Sequence, residues 1–267
     1  PAGPPEREAF EVFERGARAV APHSILPFRG PNAAVMLEVA AIAHREPEDL
    51  SWSDEPLHPV GETVIGTDVP ALWHVKKKRA LYYNGMGRGD FSRLIQQLSV
   101  VALFDKDQYE NSRPGFENLL AYLHTLEPPA WEGELDEAKA KRGEAVFEAN
   151  CVRCHGTYGE DEVYPNLLVS VDEVGTDPLY AQFFMDEGNY TGQERDWYAT
   201  SPYGQGSSLE PSMNYIARPL DGIWATAPYL HNGSVPTLAA LLDSSTRPTY
   251  WRRDFTALEY DAEALGG

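Results

Sequence analysis

Two cysteines and one histidine stand close together in the sequence Cys151-Val152-Arg153-Cys154-His155. Two thiols on one turn of chain can add to the two vinyl groups of a single porphyrin, and the adjacent imidazole can then bind the iron. This arrangement is the attachment signature of c-type haem. We therefore predict one covalent haem c, held by Cys151 and Cys154, with His155 as an axial ligand of the iron.

Three other roles for the two cysteines compete with haem attachment. A redox-active dithiol of the thioredoxin type needs a βαβ context, and the sequence around the motif shows none. A structural zinc site needs two further ligands, and the sequence offers neither a second CxxC nor an HxxxH. A plain disulfide would leave His155 without a role. Haem attachment accounts for all three side chains and is therefore the interpretation that the sequence favours.

The second axial ligand decides whether the iron is closed or open to small molecules. A second histidine usually lowers the reduction potential of the haem, whereas a methionine raises it. His231 lies 76 residues after His155 (231 − 155), and Met213 lies 58 residues after it (213 − 155). We predict His231 as the ligand, with Met213 and then Met185 as alternatives. Arg218 is a candidate partner for a haem propionate.

The composition excludes several classes of protein. The chain has 267 residues, of which 41 are acidic and 22 basic, and its net charge is −19. Such acidity argues against nucleic-acid binding, which requires a basic surface, and it favours attraction to a basic partner protein. No stretch approaches 18 apolar residues, so we predict no transmembrane segment. The 42% hydrophobic content is sufficient for a folded core.

Hydrophobic periodicity and turn residues predict a mainly α fold with long irregular loops and no convincing strands. Asn32 and Asp90 can cap helices, because their short side chains accept hydrogen bonds from the first turn. Pro114 and Pro236 can each open a helix, since the first helical residue needs no backbone N–H. The predicted helices cover residues 6–19, 33–44, 90–104, 114–127, 135–150, 178–186 and 236–242.

A weak internal repeat relates two segments that lie 148 positions apart (232 − 84). Asn84-Gly85 matches Asn232-Gly233, and Tyr83 falls opposite His231. Each copy reads as an apolar segment, a turn ending in Asn-Gly and a helix. A proline pair at residues 128–129 separates the copies, so we predict two domains, residues 1–131 and 132–267.

The segment from Arg218 to Leu238 is more specific than these general patterns. Its second part reads Ala-Thr-Ala-Pro-Tyr-Leu-His-Asn-Gly-Ser-Val-Pro-Thr-Leu, which ends at Leu238. Together with the CxxCH, this segment resembles the C-terminal half of the di-haem cytochrome c peroxidase superfamily, and most of all its rubber-oxygenase-like branch. Residues 69–78, 84–90 and 119–129 add to the resemblance, which covers nearly the whole chain.

The resemblance implies that both domains are cytochrome c-like. It also implies two covalent haems, one open for reaction and one six-coordinate that passes electrons. In that branch the C-terminal haem has a histidine on both faces, which assigns His155 and His231 as the axial pair. The resemblance also places Trp73, His74 and Tyr83 near the reactive haem, as candidate catalytic residues. It raises calcium as an ion between the domains, without assigning its ligands.

This sequence departs from the family because it contains a single CxxCH, so residues 1–131 lack an attachment site of their own. The first haem is attached upstream of Pro1 or on another chain, or it has been lost, and we expect an upstream segment.

The predicted function is electron transfer through a six-coordinate haem, with a redox partner protein or a second haem-bearing segment as partner. A haem peroxidase or dioxygenase, and a haem-bearing structural subunit of a larger assembly, are the alternatives. Haem c is attached on the outer side of energy-transducing membranes, which favours a periplasmic or extracellular location.

Overall fold

The computed structural model describes residues 3–23, 34–60, 65–101, 105–185, 198–253, 256 and 260–266. Helix dominates the regular structure of these residues. The α-helices include α1 (Pro4–Val20), α2 (Ala34–Ile42), α3 (Phe91–Gln96), α4 (Lys106–Leu123), α5 (Glu137–Asn150), α6 (Val152–His155), α7 (Val171–Val174), α8 (Leu179–Met185) and α9 (Leu238–Leu242). Short 3-10 helices include Leu72–Lys77, Gln97–Val101 and Ile223–Ala225.

Short polar side chains set the beginnings of several helices. The Asp90 carboxylate accepts a hydrogen bond from the backbone N–H of Ser92, which confirms its predicted role as a cap. Asp105, Asp136 and Thr237 cap α4, α5 and α9 in the same way. Each cap satisfies a backbone donor that the helix itself leaves without a partner.

Two predicted helix openings are wrong. Pro114 lies inside α4, which begins eight residues earlier because Asp105 caps it. A proline inside a helix removes one hydrogen bond, and the remaining turns of α4 outweigh that loss. Pro236 lies just before α9, whose cap is Thr237. Asn32 and the predicted end of the helix at 102–104 lie outside the described residues.

The absence of strands was also predicted wrongly. Strand β1 (Gly87–Gly89) pairs antiparallel with β3 (Ser207–Leu209), and β2 (Leu168–Ser170) pairs antiparallel with β4 (Asn214–Ile216). Each strand has three residues. A strand of that length is too short to produce the alternating pattern by which strands are found in a sequence.

The internal repeat has a counterpart in the backbone. Residues 81–87 and 229–235 form loops of the same kind, 148 positions apart, each closed by an isolated antiparallel bridge between its end residues. Both loops carry a residue with positive φ at the same place, Tyr82 at 67° and Leu230 at 70°. In both, the Asn side chain accepts a hydrogen bond from the backbone two residues later.

The two loops also exchange equivalent hydrogen bonds with the opposite repeat. The backbone N–H of Asp68 donates to the carbonyl of His231 at 2.7 Å, and the N–H of Ile216 donates to the carbonyl of Tyr83 at 2.8 Å. Donors and acceptors are both related by the 148-residue offset (216 − 68 and 231 − 83). Reciprocal contacts of this kind are what a two-fold relation between two similar units produces.

The largest hydrophobic core lies around α2, α3 and α8. It includes Leu50, Tyr109, Tyr180 and Phe184, each with almost no exposed surface. Helix α5, in contrast, carries no buried side chain. The predicted boundary near residue 131 falls between these two regions and stays a prediction.

Candidate functional site

Helices α5 and α6 place the two cysteines on one turn. The backbone N–H of Cys151 donates to the carbonyl of Phe147 at 2.8 Å, and the N–H of Cys154 donates to the carbonyl of Cys151 at 3.1 Å. Both thiols are free and partly buried. Gly156, with a φ of 82°, ends the turn. The sulfurs therefore belong to one rigid segment, as attachment to a single porphyrin requires.

His155 is oriented by a backbone carbonyl from much later in the chain. Its Nδ1 lies 2.7 Å from the carbonyl oxygen of Arg218. A carbonyl can only accept, so Nδ1 carries a proton, and in the neutral ring the lone pair therefore lies on Nε2. Histidines that bind metals commonly donate their second ring N–H to such a carbonyl, which fixes tautomer and orientation. The imidazole is therefore prepared to bind a metal through Nε2.

An apolar surface next to the motif fits a large flat ligand. A cavity of about 660 Å³ opens between α5 and the chain that follows the motif, and Phe147, Val152 and Tyr158 line it. The rings of Phe147 and Tyr158 meet edge to face at 5.8 Å, and Val146 is 62% exposed. Two free thiols, one oriented imidazole and exposed apolar side chains together fit covalently attached haem c.

His231 lies in a pocket of tyrosines. Its side chain is 5% exposed and stacks on the ring of Tyr215 at 4.7 Å, with the Tyr83 ring edgewise and the Tyr180 ring tilted beside it. Burial lowers the pKa of His231, with the Asp177 carboxylate 3.9 Å away acting in the opposite direction. The imidazole is thus neutral near pH 7, the form in which histidine binds iron.

The two methionine candidates lie at the surface. Met213 is 36% exposed, and its carbonyl accepts a hydrogen bond from the N–H of Val171. Met185 is 45% exposed at the end of α8. A buried imidazole is better suited than an exposed thioether to close an iron site, and His231 as the ligand stays a prediction.

Arg218 links the surroundings of the two histidines. Its carbonyl orients His155, while its guanidinium lies 5.0 Å over the ring of Tyr83. Tyr83 in turn donates its hydroxyl proton to the carbonyl of Asp68 at 2.7 Å and touches His231 edgewise at 6.0 Å. Burial raises the pKa of Tyr83, so the side chain is a neutral phenol.

The other two candidate catalytic residues meet at one carbonyl of the second repeat. Trp73 Nε1 donates to the Asp221 carbonyl at 2.8 Å, and His74 Nε2 lies 2.7 Å from the same oxygen. Trp73 and Asp221 are themselves 148 positions apart. Burial lowers the pKa of His74 to about 4. Both side chains contribute to the contact between the repeats, and their catalytic role stays a prediction.

Several residues around the site carry no signal in the sequence. Tyr180 and Tyr215 surround His231, although nothing distinguishes them from other tyrosines. Asn166 binds the backbone of Lys77 and Arg79 across the two repeats. Among the described residues, no group of three or more metal-binding side chains occurs, so calcium stays a prediction without ligands.

Comparison with known families agrees with this geometry. Residues 140–232 match the cytochrome c family model, and residues 214–252 match a model described as RoxA-like, cytochrome c-like. The chain contains a cytochrome c-like region related to RoxA. This match implies a covalently bound haem c. The matched region includes the CxxCH motif and His231.

Two curated relatives come from Sinorhizobium fredii. The uncharacterized protein y4iM is 30% identical, over 75% of this chain and 49% of its own length. The uncharacterized protein y4iJ is 32% identical, over 63% of this chain and 37% of its own length. The chain thus spans about half or less of the length of the relatives that it matches.

None of the helices that the structure describes combines the length and the apolar character of a membrane-spanning helix.

Proposed function

We propose that this protein is an electron-transfer c-type cytochrome with one six-coordinate haem in this chain. Cys151 and Cys154 hold the haem, and His155 and His231 bind its iron. The observation that carries the proposal is the hydrogen bond from His155 to the Arg218 carbonyl, which leaves Nε2 of a histidine in a CxxCH free for metal. When bound, haem c supplies a reversible one-electron couple.

The surroundings of His231 support electron transfer rather than reaction at this iron. Two imidazole ligands leave no coordination position for peroxide or dioxygen. Tyr83, Tyr180 and Tyr215 enclose His231 and keep bulk water away from it. The net charge of −19 suits association with a basic redox partner. A periplasmic or extracellular location fits the compartment in which haem c is attached.

A specific observation favours a second candidate, a di-haem peroxidase or oxygenase. Residues 216–221 and 77–80 meet beside His155, through Arg218, Asp221 and Lys77. At the equivalent positions of the other repeat, residues 68–73 and 225–228 line a cavity of about 400 Å³. A second haem, attached upstream or on another chain, would occupy that cavity, with Trp73 in its wall and His74 and Tyr83 close by.

Counting haems separates the two candidates. The chain is produced in a host that attaches haem c, and the pyridine haemochrome absorbance is divided by the protein concentration. We expect one low-spin haem per chain. The double variant Cys151→Ala/Cys154→Ala is the matched control and should contain no covalent haem.

The outcomes distinguish the proposals clearly. A wild-type chain without covalent haem would refute the cytochrome proposal. One haem with a high-spin spectrum would refute the six-coordinate iron while leaving attachment intact. Two haems in the full-length protein, one of them high-spin, would favour the peroxidase or oxygenase over a pure electron carrier.

A further inference from the structure

Residues 76–79 form a basic run, and one of its lysines has no acidic partner. Lys76 pairs with Glu127 at 2.5 Å, and Lys77 pairs with Glu162 at 2.6 Å and with Asp221 at 2.8 Å. No carboxylate among the described residues lies within ion-pair distance of Lys78. In a chain with 41 acidic side chains, an unpaired lysine at a partly buried position points to an anion that is not part of the protein.

The second repeat fixes the backbone on both sides of this lysine. The Asn166 side chain accepts a hydrogen bond from the N–H of Arg79 at 2.7 Å and donates one to the carbonyl of Lys77 at 3.1 Å. Asn166 is held in the left-handed region with a φ of 54°. Lys78, which lies between the two bonded residues, is therefore positioned by the half of the chain that carries the CxxCH.

The segment that carries a second cation, Arg218, runs beside Asn166. The backbone N–H of Ala217 donates to the carbonyl of Leu167 at 2.9 Å. Burial, reinforced by the positive charge of Arg218, lowers the pKa of Lys78 to about 8. Two neighbouring cations removed from water are costly unless an anion neutralises them. The carbonyl of Arg218 orients His155, so this pair of cations stands next to the proposed iron ligand.

The two repeats differ in charge at the positions of Lys78 and Arg218. By the 148-residue offset, Lys78 corresponds to Thr226 (226 − 78) and Arg218 corresponds to Pro70 (218 − 70). Neither Thr226 nor Pro70 carries a charge. The two charges therefore distinguish the site beside His155 from the equivalent site of the other repeat.

We propose that Lys78 and Arg218 together bind a propionate carboxylate of the haem attached at Cys151 and Cys154. This inference rests on the proposed function. Lys78 lies outside residues 140–232, which match cytochrome c. The first repeat thus completes the haem site of the second, and the two repeats form one functional unit.

The test compares three variants as haem-loaded full chains. Lys78→Met removes the charge, Lys78→Arg keeps it, and Lys76→Met removes a neighbouring charge that Glu127 already neutralises. The readouts are haem per chain, the reduction potential and the propionate bending mode in resonance Raman spectra. We expect Lys78→Met to lower the potential and shift the propionate mode, because a cation near the haem favours the reduced form. Lys78→Arg and Lys76→Met should stay close to wild type.

Each alternative gives a different result. If wild type contains no haem, the proposed function fails, and this inference fails with it. If Lys78→Met binds haem fully with unchanged potential and propionate mode, the inference alone is overturned. The measurements are made with and without inorganic phosphate. A difference between variant and wild type that appears only with phosphate would mean that Lys78 binds a free anion, which also overturns the inference.

Discussion

Replacing Asn166 should weaken the connection between the two repeats by a predictable amount. Its side chain makes two hydrogen bonds to the backbone of the first repeat, to Arg79 at 2.7 Å and to Lys77 at 3.1 Å. Each bond contributes about 1 kcal/mol net. Alanine tolerates the left-handed backbone less well than asparagine does, which costs roughly a further 1 kcal/mol. Asn166→Ala should therefore lower the free energy of unfolding by about 3 kcal/mol.

Urea unfolding followed by circular dichroism measures this change. Asn166→Asp keeps the acceptor for Arg79 and tolerates the same backbone, so its loss should be smaller, about 1 to 2 kcal/mol. Asn111→Ala, an exposed position on α4, is the matched control and should change stability by less than about 0.5 kcal/mol. A loss below about 1 kcal/mol for Asn166→Ala would refute the two backbone contacts.

The same variant tests the connection to the haem site. Asn166 holds the backbone beside Lys78, so Asn166→Ala should shift the reduction potential in the same direction as Lys78→Met. The double variant should then shift it by less than the sum of the two single changes, because both act on one contact. Additive shifts would mean that Asn166 and Lys78 influence the haem independently.

Three further predictions concern the ligand, the pH dependence and α4. His231→Gly should convert the haem from low to high spin, whereas Met213→Ala should leave it low-spin, and the reverse result would make Met213 the ligand. Burial lowers the pKa of His74 to about 4 in the folded state, so the unfolded state takes up the proton first as the pH falls below 6.5. The free energy of unfolding should therefore fall by about 3 kcal/mol between pH 6.5 and pH 4. His74→Gln should flatten the pH dependence of urea unfolding in that range. Pro114→Ala should raise the free energy of unfolding by about 2 kcal/mol, because it restores a hydrogen bond inside α4, and a decrease would show that Pro114 has a packing role.

Features set by local chemistry could be predicted from the sequence. Asp90 caps a helix because a short acceptor before an apolar run has few other roles. The placement of both thiols on one turn could be predicted from the sequence. The CxxCH directly follows a predicted helix, which ends at Asn150 in the structure. The repeat was visible because residues 81–87 and 229–235 need the same turn residues, including glycine at positive φ at Gly85 and Gly233.

Features set by distant contacts could not be predicted. The acceptor for His155 is a backbone carbonyl, which every residue possesses, so the side chain of Arg218 gives no signal for it. The tyrosines around His231 come from three separate segments of the chain. The single proline at 114 gave a strong local signal that favours a helix start, and the cap at Asp105 together with the following turns overrides it.

The equivalent positions of the two repeats differ in their chemistry, and this difference agrees with two distinct roles. The second repeat has His231, a neutral imidazole that can bind iron, where the first repeat has Tyr83. The Tyr83 phenol keeps its proton, because burial raises its pKa, and it donates that proton to the carbonyl of Asp68. A protonated phenol engaged in this way is a poor iron ligand. A haem at the first repeat would therefore lack a counterpart of the proposed ligand His231. Under the proposed function, the same scaffold then provides one closed site and one open site.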